Sequence, residues 1–267
     1  MIVEGAELDW ELTPQRVRLI CAPHFGVCSD GVLLLTRPDG GDHVADLRIL
    51  NPDGSEAELS GNGAREAALY LRRAGWTDAD EFSIHTPAGE IRPRIISPTT
   101  CAMEMGRAST TSDAFPSGGP DGRGSLESGG HQWSFQHVSI GNPQCVIEVG
   151  DVVEDLDLDV IGPGVVANEL FPQRTNVSFT RVEGSTVRAR IFERGVGETL
   201  SSGTGASGAA VAAVLRGAAS PITVRLDGGE LTVDVSADLD VVLTGPAEPV
   251  YAGQASPELA RALDQAG

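Results

Sequence analysis

A stretch of about ten residues occurs twice in this chain, and it constrains the fold more than any other feature. Leu59-Ser60-Gly61-Asn62-Gly63-Ala64-Arg65-Glu66-Ala67-Ala68 aligns with Ser201-Ser202-Gly203-Thr204-Gly205-Ala206-Ser207-Gly208-Ala209-Ala210 at an offset of 142. The serine, both turn glycines and three alanines are identical. A glutamate precedes each serine by four residues, at Glu56 and Glu198. Downstream, Ala88-Gly89-Glu90-Ile91 matches Gly228-Gly229-Glu230-Leu231 at an offset of 140. Near-constant spacing over such a length points to two lobes of similar fold made by duplication.

Each copy carries the same succession of elements. A run that alternates apolar and polar comes first, Ala45–Leu50 in one copy and Val187–Phe192 in the other, and reads as a half-buried strand. A glycine-rich turn with the serine follows. The pattern then predicts helices over Ala64–Ala74 and Ala206–Arg216, stopped by Gly75 and Gly217. Strands are expected at Glu90–Ile96 and Glu230–Val235. The second helix is rich in Ala, Gly and Val on every side and reads as buried. The fold class is therefore α/β (α+β), with two pseudo-symmetric lobes, each a mixed or antiparallel sheet around a central helix. Residues 1–120 are expected to form the first lobe and 121–267 the second, with the last strands packing back on the first. Ser109–Gly130, rich in Gly, Ser, Asp and Pro, reads as a long loop or hairpin. The acidic stretch Asp151–Asp159 reads as a solvated face.

Composition removes whole function classes. Of 267 residues, 19 are basic and 38 acidic, a net charge of -19, which disfavours a nucleic-acid partner. No apolar run approaches the ~20 residues of a membrane span, and the N-terminus lacks a signal pattern. The expectation is a soluble, cytoplasmic protein. All 19 basic residues are arginine. Without lysine there is no Schiff base to pyridoxal phosphate, no P-loop and no ordinary kinase site. The four cysteines form no C-x-x-C pair and read as free, buried thiols. The five histidines are scattered without metal-ligand spacing. Neither a cofactor nor a metal is expected.

The paired Ser-Gly-x-Gly turns are the strongest chemical signal. Both open helices, where free N–H groups and partial positive charge favour an anion such as a carboxylate. One such turn alone reads as an ordinary N-cap; the duplication favours a ligand. Asn51-Pro52-Asp53-Gly54-Ser55, Gly141-Asn142-Pro143-Gln144-Cys145, Arg174-Thr175-Asn176 and Glu193-Arg194-Gly195 lie at strand ends. Taken singly, each is an ordinary turn.

Taken together, these motifs resemble the diaminopimelate epimerase family. The resemblance rests on Asn51–Glu56, Ser60–Arg65, Gly141–Pro143, Glu193–Leu200 and Gly203–Ala206, with His24-Phe25-Gly26 and Ser29–Val32 also similar. It runs from about Leu12 to Gly253. It implies a pyridoxal-phosphate-independent isomerase with two α/β lobes, an active site in the cleft between them, and commonly a homodimer. In that family one cysteine just before each turn serves as base or acid, so that a proton leaves one face of the α-carbon and returns on the other. By resemblance, Ser60 and Ser202 occupy these positions. Gly61, Asn62, Gly203 and Thr204 would bind the proximal α-carboxylate. Asn51, Asn142 and Asn176, with Glu193 and Arg194, would bind the distal amino-acid end of a small-molecule substrate.

Departures from the family pattern bear on the chemistry. Serine replaces both cysteines, and a hydroxyl is a far weaker acid than a thiol. Three readings of the pair stand: a natural serine variant that shares the proton with a neighbour such as Glu198, a Cys→Ser double variant that traps substrate, or an amino-acid-binding homologue. A related racemase of another amino acid is a further alternative. Gln144 stands where the family has histidine, and Cys28 where it has glycine. The family's opening strand, with its Gly-Leu-Gly-Asn-type segment and a substrate-contacting asparagine, is not seen before Met1-Ile2-Val3-Glu4.

Overall fold

A computed structural model describes residues 1–57 and 60–266. Leu59, which opens the first copy of the repeat, lies outside them. The chain divides into two compact units, one formed by Met1–Met103 with the chain from Pro246 onward, the other by Glu104–Gly245.

The first unit comprises β1 (Ile2–Glu4), α1 (Pro14–Cys21), β2 (Val32–Thr36), β3 (Ala45–Leu50), β4 (Glu56–Ala57), α2 (Gly61–Arg73), β5 (Ile84–Thr86), β6 (Gly89–Ile91) and β7 (Pro93–Ser97). The strand β8 (Thr100–Arg107) leads into the second unit. The six-stranded sheet of the first unit has the order β1-β2-β3-β5-β6, with β4 paired to β3. Val32, Leu33, Leu34 and Leu35 of β2 are all buried, as expected of a strand covered on both faces. Val32 and Leu34 pack with Val17 and Ile20 of α1. A Cβ added at Gly63 of α2 would lie 2.8 Å from Leu33 Cδ2, which places α2 over the other face.

The C-terminal helix α5 (Pro257–Gln265) joins this unit, its Leu263 in the same core. Buried Arg16 fastens it: Nε donates to the Leu263 carbonyl at 2.8 Å, while Nη1 donates to the Glu11 carbonyl at 2.6 Å. The chain returns to this unit at Pro246, the last residue of the strand Asp240–Pro246, and ends there in the helix.

The second unit contains β9 (Arg123–Ser128), β10 (His131–Ser139), β11 (Pro143–Glu148), α3 (Leu158–Val166), β12 (Asn176–Glu183), β13 (Thr186–Glu193), β14 (Gly197–Thr199), α4 (Gly203–Leu215), β15 (Ile222–Leu226), β16 (Gly229–Val235) and β17 (Asp240–Pro246). The strands run β17-β16-β15-β13-β12-β11-β10-β9, with β14 on β13. They curl round α4, whose Ala206, Ala209, Ala210 and Val211 pack against Val187, Ala189, Ile191, Val224, Val233 and Leu243. Ten of the thirteen residues of α4 are buried, so small side chains on every side are what let strands approach. On the other face, α3 packs with Phe135, Ile147, Val177 and Phe179.

The structure moves several sequence-based boundaries. The unit boundary lies at Met103/Glu104 rather than 120/121, because the following segment is laced to β10. Ser109 and Ser139 exchange backbone hydrogen bonds of 2.9 and 2.7 Å, and His137 N donates to Gly122 O at 2.7 Å. Ser109–Gly130 is only partly loop, since β9 occupies Arg123–Ser128. Both repeat helices start three residues earlier than Ala64 and Ala206, because Ser60 and Ser202 themselves cap them. The strand expected over Glu90–Ile96 breaks at Arg92 before Pro93, and proline cannot continue a donor ladder. In Asp151–Asp159, Val153 and Leu158 are buried under exposed acids. Cys28 is exposed, whereas Cys21, Cys101 and Cys145 are buried free thiols.

The duplication extends to atomic detail. Ile49 pairs with Ala57 as Ile191 pairs with Thr199, at the same offset of 142. Gly54 N donates to Asn51 O at 2.9 Å, and Val196 N to Glu193 O at 3.2 Å. Arg48 grips Glu56 through Nε and Nη2 at 2.8 and 2.9 Å. Arg190 grips Glu198 at 2.8 and 3.0 Å. Bidentate guanidinium–carboxylate pairs of this kind fix orientation as well as charge.

The two clamps differ in depth. Arg48 is 45% exposed and Arg190 only 15%. Arg190 also donates to the carbonyls of Val153 and Leu156 at 3.2 and 2.8 Å. Arg190→Ala is expected to lower stability by about 2–3 kcal/mol and Arg48→Ala by at most about 1 kcal/mol. Urea denaturation of the two variants checks this; equal losses would contradict it.

Candidate active site

Each candidate turn begins with a serine in extended conformation, φ -136° at Ser60 and -142° at Ser202. The Ser60 hydroxyl oxygen accepts from Gly63 N at 3.2 Å, and Ser202 Oγ accepts from Gly205 N at 3.1 Å. The serine carbonyls take the next donors, Ala64 N at 2.8 Å and Ala206 N at 2.9 Å. Among the described residues, the N–H groups of Gly61, Gly203 and Thr204 have no protein acceptor. They point out of the positive end of a helix, where a carboxylate is favoured. Glycine is needed at the third helical position: a Cβ at Gly205 would sit 2.6 Å from Ile191 Cδ1 and 3.1 Å from Ser202 Oγ.

In the first unit, Asn62 Oδ1 accepts from Arg65 Nη2 at 2.8 Å, and Arg65 Nη1 reaches Gly61 O at 3.2 Å. Arg65 is 4% exposed, and burial lowers its pKa. Asn51 Nδ2 donates to Ser55 Oγ at 3.0 Å. Ser55 in turn donates from its hydroxyl and its amide to Asp53 Oδ1, at 2.6 and 2.8 Å. These bonds hold the Asp53 carboxyl below the usual carboxylate range.

In the second unit, Asn142 Nδ2 donates to Thr204 Oγ1 at 3.2 Å, and Gln144 Nε2 donates to Asn142 Oδ1 at 2.6 Å. Gln144 thus aims Asn142 and ties β11 to the first turn of α4. Its side chain is buried against α4, where a Cβ at Gly208 would come within 2.9 Å of Gln144 Cβ. Asn176, 4% exposed, accepts from Arg194 N through Oδ1 at 3.0 Å, so it braces the Glu193-Arg194 turn. Arg194 is exposed and donates from Nη1 to Gln173 O at 3.0 Å. The Glu193 carboxylate is half-buried and, among the described residues, takes part in no ion pair. Hence Asn142, Asn176, Glu193, Arg194, Ser202, Gly203 and Thr204 lie in one unit, and Asn51, Ser60, Gly61 and Asn62 in the other.

Glu198 does not stand ready to share a proton with Ser202, because Arg190 occupies both of its carboxylate oxygens. Burial raises the Cys101 pKa to about 11 and pushes the Cys145 thiol well above its ordinary value. The positioning role of Gln144 and the two arginine clamps escape a reading by motif. Arg48 and Arg190 are nevertheless available from the repeat, since they stand at its common offset.

The diaminopimelate epimerase family model matches residues 1–111 and 136–250. The chain belongs to the diaminopimelate epimerase family. It is 41% identical over 254 residues to the diaminopimelate epimerase of Synechococcus sp. (strain JA-3-3Ab), covering 91% of this chain and 88% of that one. With the diaminopimelate epimerase of Synechocystis sp. (strain ATCC 27184 / PCC 6803 / Kazusa) it shares 39% over 252 residues, 91% of this chain and 90% of the other. Among solved structures, a probable proline racemase from Agrobacterium radiobacter K84 superposes with a TM-score of 0.64 at 17% identity, over 91% of this chain and 81% of that chain. A hydroxyproline epimerase from Agrobacterium vitis does so with 0.60 at 18%, over 86% and 77%. These superpositions establish the shared two-lobed α/β fold.

Two measurements check the local geometry. Ser60→Ala and Ser202→Ala should each lower stability by about 1 kcal/mol through loss of the cap; unchanged urea midpoints would show the hydroxyls are not capping. In the native protein one thiol, Cys28, should react promptly with a thiol reagent, and the other three only on unfolding.

Proposed function

We propose that this protein interconverts LL- and meso-diaminopimelate by moving a proton off and back onto the α-carbon. The observation that carries the reading is the matched pair of serine-capped helix N-termini. Inversion needs two groups, one for each face of the carbon, and the repeat supplies two hydroxyls in equivalent settings. Gly61, Gly203 and Thr204 offer N–H groups for the α-carboxylate and for charge that develops in the transition state. A substrate with an amino acid at each end also needs a second clamp. Glu193, half-buried and in no ion pair among the described residues, suits an ammonium, and the adjacent Arg194 suits a carboxylate. By the family resemblance, Asn51, Asn142 and Asn176 are assigned to that end as well.

The reaction belongs to lysine and cell-wall biosynthesis. The resemblance supports a cytoplasmic homodimer, and the lysine-free sequence supports chemistry without pyridoxal phosphate.

Serine sets the rate. One pKa unit is worth about 1.36 kcal/mol. Ionising a hydroxyl near ~15.7 at pH 7 therefore costs about 12 kcal/mol, against about 2 kcal/mol for a thiol near ~8.5. A helix N-terminus returns at most about 2 kcal/mol, and it would help either group. The difference of about 10 kcal/mol favours a second reading for the present residues, an amino-acid-binding protein that keeps the pocket. The Arg190 clamp on Glu198 favours the same alternative.

Incubation with LL-diaminopimelate in heavy water, followed by proton NMR, separates the two. The first reading expects loss of the α-proton signal and appearance of the meso form. Saturable binding with no exchange would overturn it and establish the second. The Ser60→Cys/Ser202→Cys double variant should exchange at least about 10³-fold faster than the parent protein. A double variant no faster would show that the serine positions do not face the α-carbon.

A further inference from the structure

His43, Asp46 and His85 converge on one point of the first unit, and none of them is assigned to the amino-acid site. Asp46 lies on β3 and His85 on β5, and the two are register partners in a parallel pair. Partners in register present their side chains on the same face of the sheet. His43 lies three residues before Asp46, and the backbone there is tied down by Val44 N donating to Ser83 O at 2.8 Å. One carboxylate oxygen, Asp46 Oδ1, receives both rings: His43 Nε2 at 3.1 Å and His85 Nδ1 at 2.8 Å. The three ligand-type atoms all lie within 4.8 Å of one another. The ring centroids are 5.4 Å apart, tilted by 46°. His43 is 19% exposed, Asp46 33% and His85 57%, so an ion could enter from solvent and keep water.

We propose that His43, Asp46 and His85 form a binding site for a divalent transition-metal ion of the Zn2+ type. Two imidazoles and one carboxylate are borderline and hard donors that suit such an ion and leave an open position. The fit is close. Zn–N and Zn–O bonds are ~2.0–2.2 Å, so two ligands of a tetrahedral ion stand ~3.4 Å apart. The two N···O distances, 3.1 and 2.8 Å, would widen by about 0.3 and about 0.6 Å. The three side chains come from adjoining strands and one short turn, so the ion would staple β3 to β5. The histidines are 42 residues apart in sequence (43 to 85), which is why no ligand spacing shows in the sequence.

The test is calorimetric titration of the intact protein with Zn2+, alongside thermal melts. We expect one equivalent to bind saturably and the melting temperature to rise with Zn2+. His43→Ala and His85→Ala should each weaken binding by at least about tenfold, and the double variant should lose both binding and the shift. A Cys28→Ser variant, which removes the exposed thiol, should bind as the parent protein does. Absence of one-to-one binding, or binding that survives in the His43→Ala/His85→Ala variant, would overturn the proposal. His43 is partly exposed and His85 well exposed, and neither is assigned to the amino-acid site, so the variants should keep the fold and the amino-acid affinity of the parent.

Discussion

Each repeat hangs on a serine hydroxyl that caps the helix behind it. The cap spends one lone pair of Ser60 or Ser202 on the third amide of the helix and leaves the amides of Gly61, Gly203 and Thr204 without a protein acceptor among the described residues. That arrangement requires a glycine at the third helical position and a hairpin of fixed shape just ahead of the serine. The hairpin is supplied by β3 and β4 in one copy and β13 and β14 in the other, each held by a bidentate arginine–glutamate pair. The same turn, with Gly54 N on Asn51 O or Val196 N on Glu193 O, closes each hairpin. Much of what positions the candidate chemistry is therefore present twice.

The copies have diverged where their surroundings differ. In the second, α4 is buried on nearly every side and needs small residues throughout. In the first, α2 exposes one face and carries Arg72 and Arg73 near its C-terminal end, where cations complement the helix dipole. Asn51 in one copy corresponds to Glu193 in the other, so the turn has been put to different polar uses on one backbone. The second copy also gains Gln144 from β11 and Asn142 from the turn before it, which fix Thr204 at the mouth of α4.

The two-lobed α/β organisation is legible in the sequence, because the repeat carries a strand, a turn and a helix at constant spacing. The strands Ala45–Leu50 and Val187–Phe192 are legible from alternation, and the helix stops from Gly75 and Gly217, both at positive φ (72° and 102°). Helix starts are not, because Gly-Asn-Gly and Gly-Thr-Gly look like turn sequence although capping draws them into the first helical turn. The unit boundary is hidden for a different reason. A segment rich in Gly, Ser and Pro reads as linker, yet backbone bonds to Ser139 and His137 lace it to β10. Glu198 reads as a proton partner in the sequence, whereas in the fold its partner is Arg190. The His43–Asp46–His85 convergence depends on pairing between strands distant in sequence, which no local pattern encodes.

The central claim is that the serine-capped turns hold the reacting end of an amino acid. A crystal structure of the protein with LL-diaminopimelate tests it most directly. The account predicts an α-carboxylate accepting from backbone N–H groups among Gly61, Gly203 and Thr204, with both serine hydroxyls beside the α-carbon. A ligand whose carboxylates sit elsewhere, with these amides bonded to water alone, would contradict it.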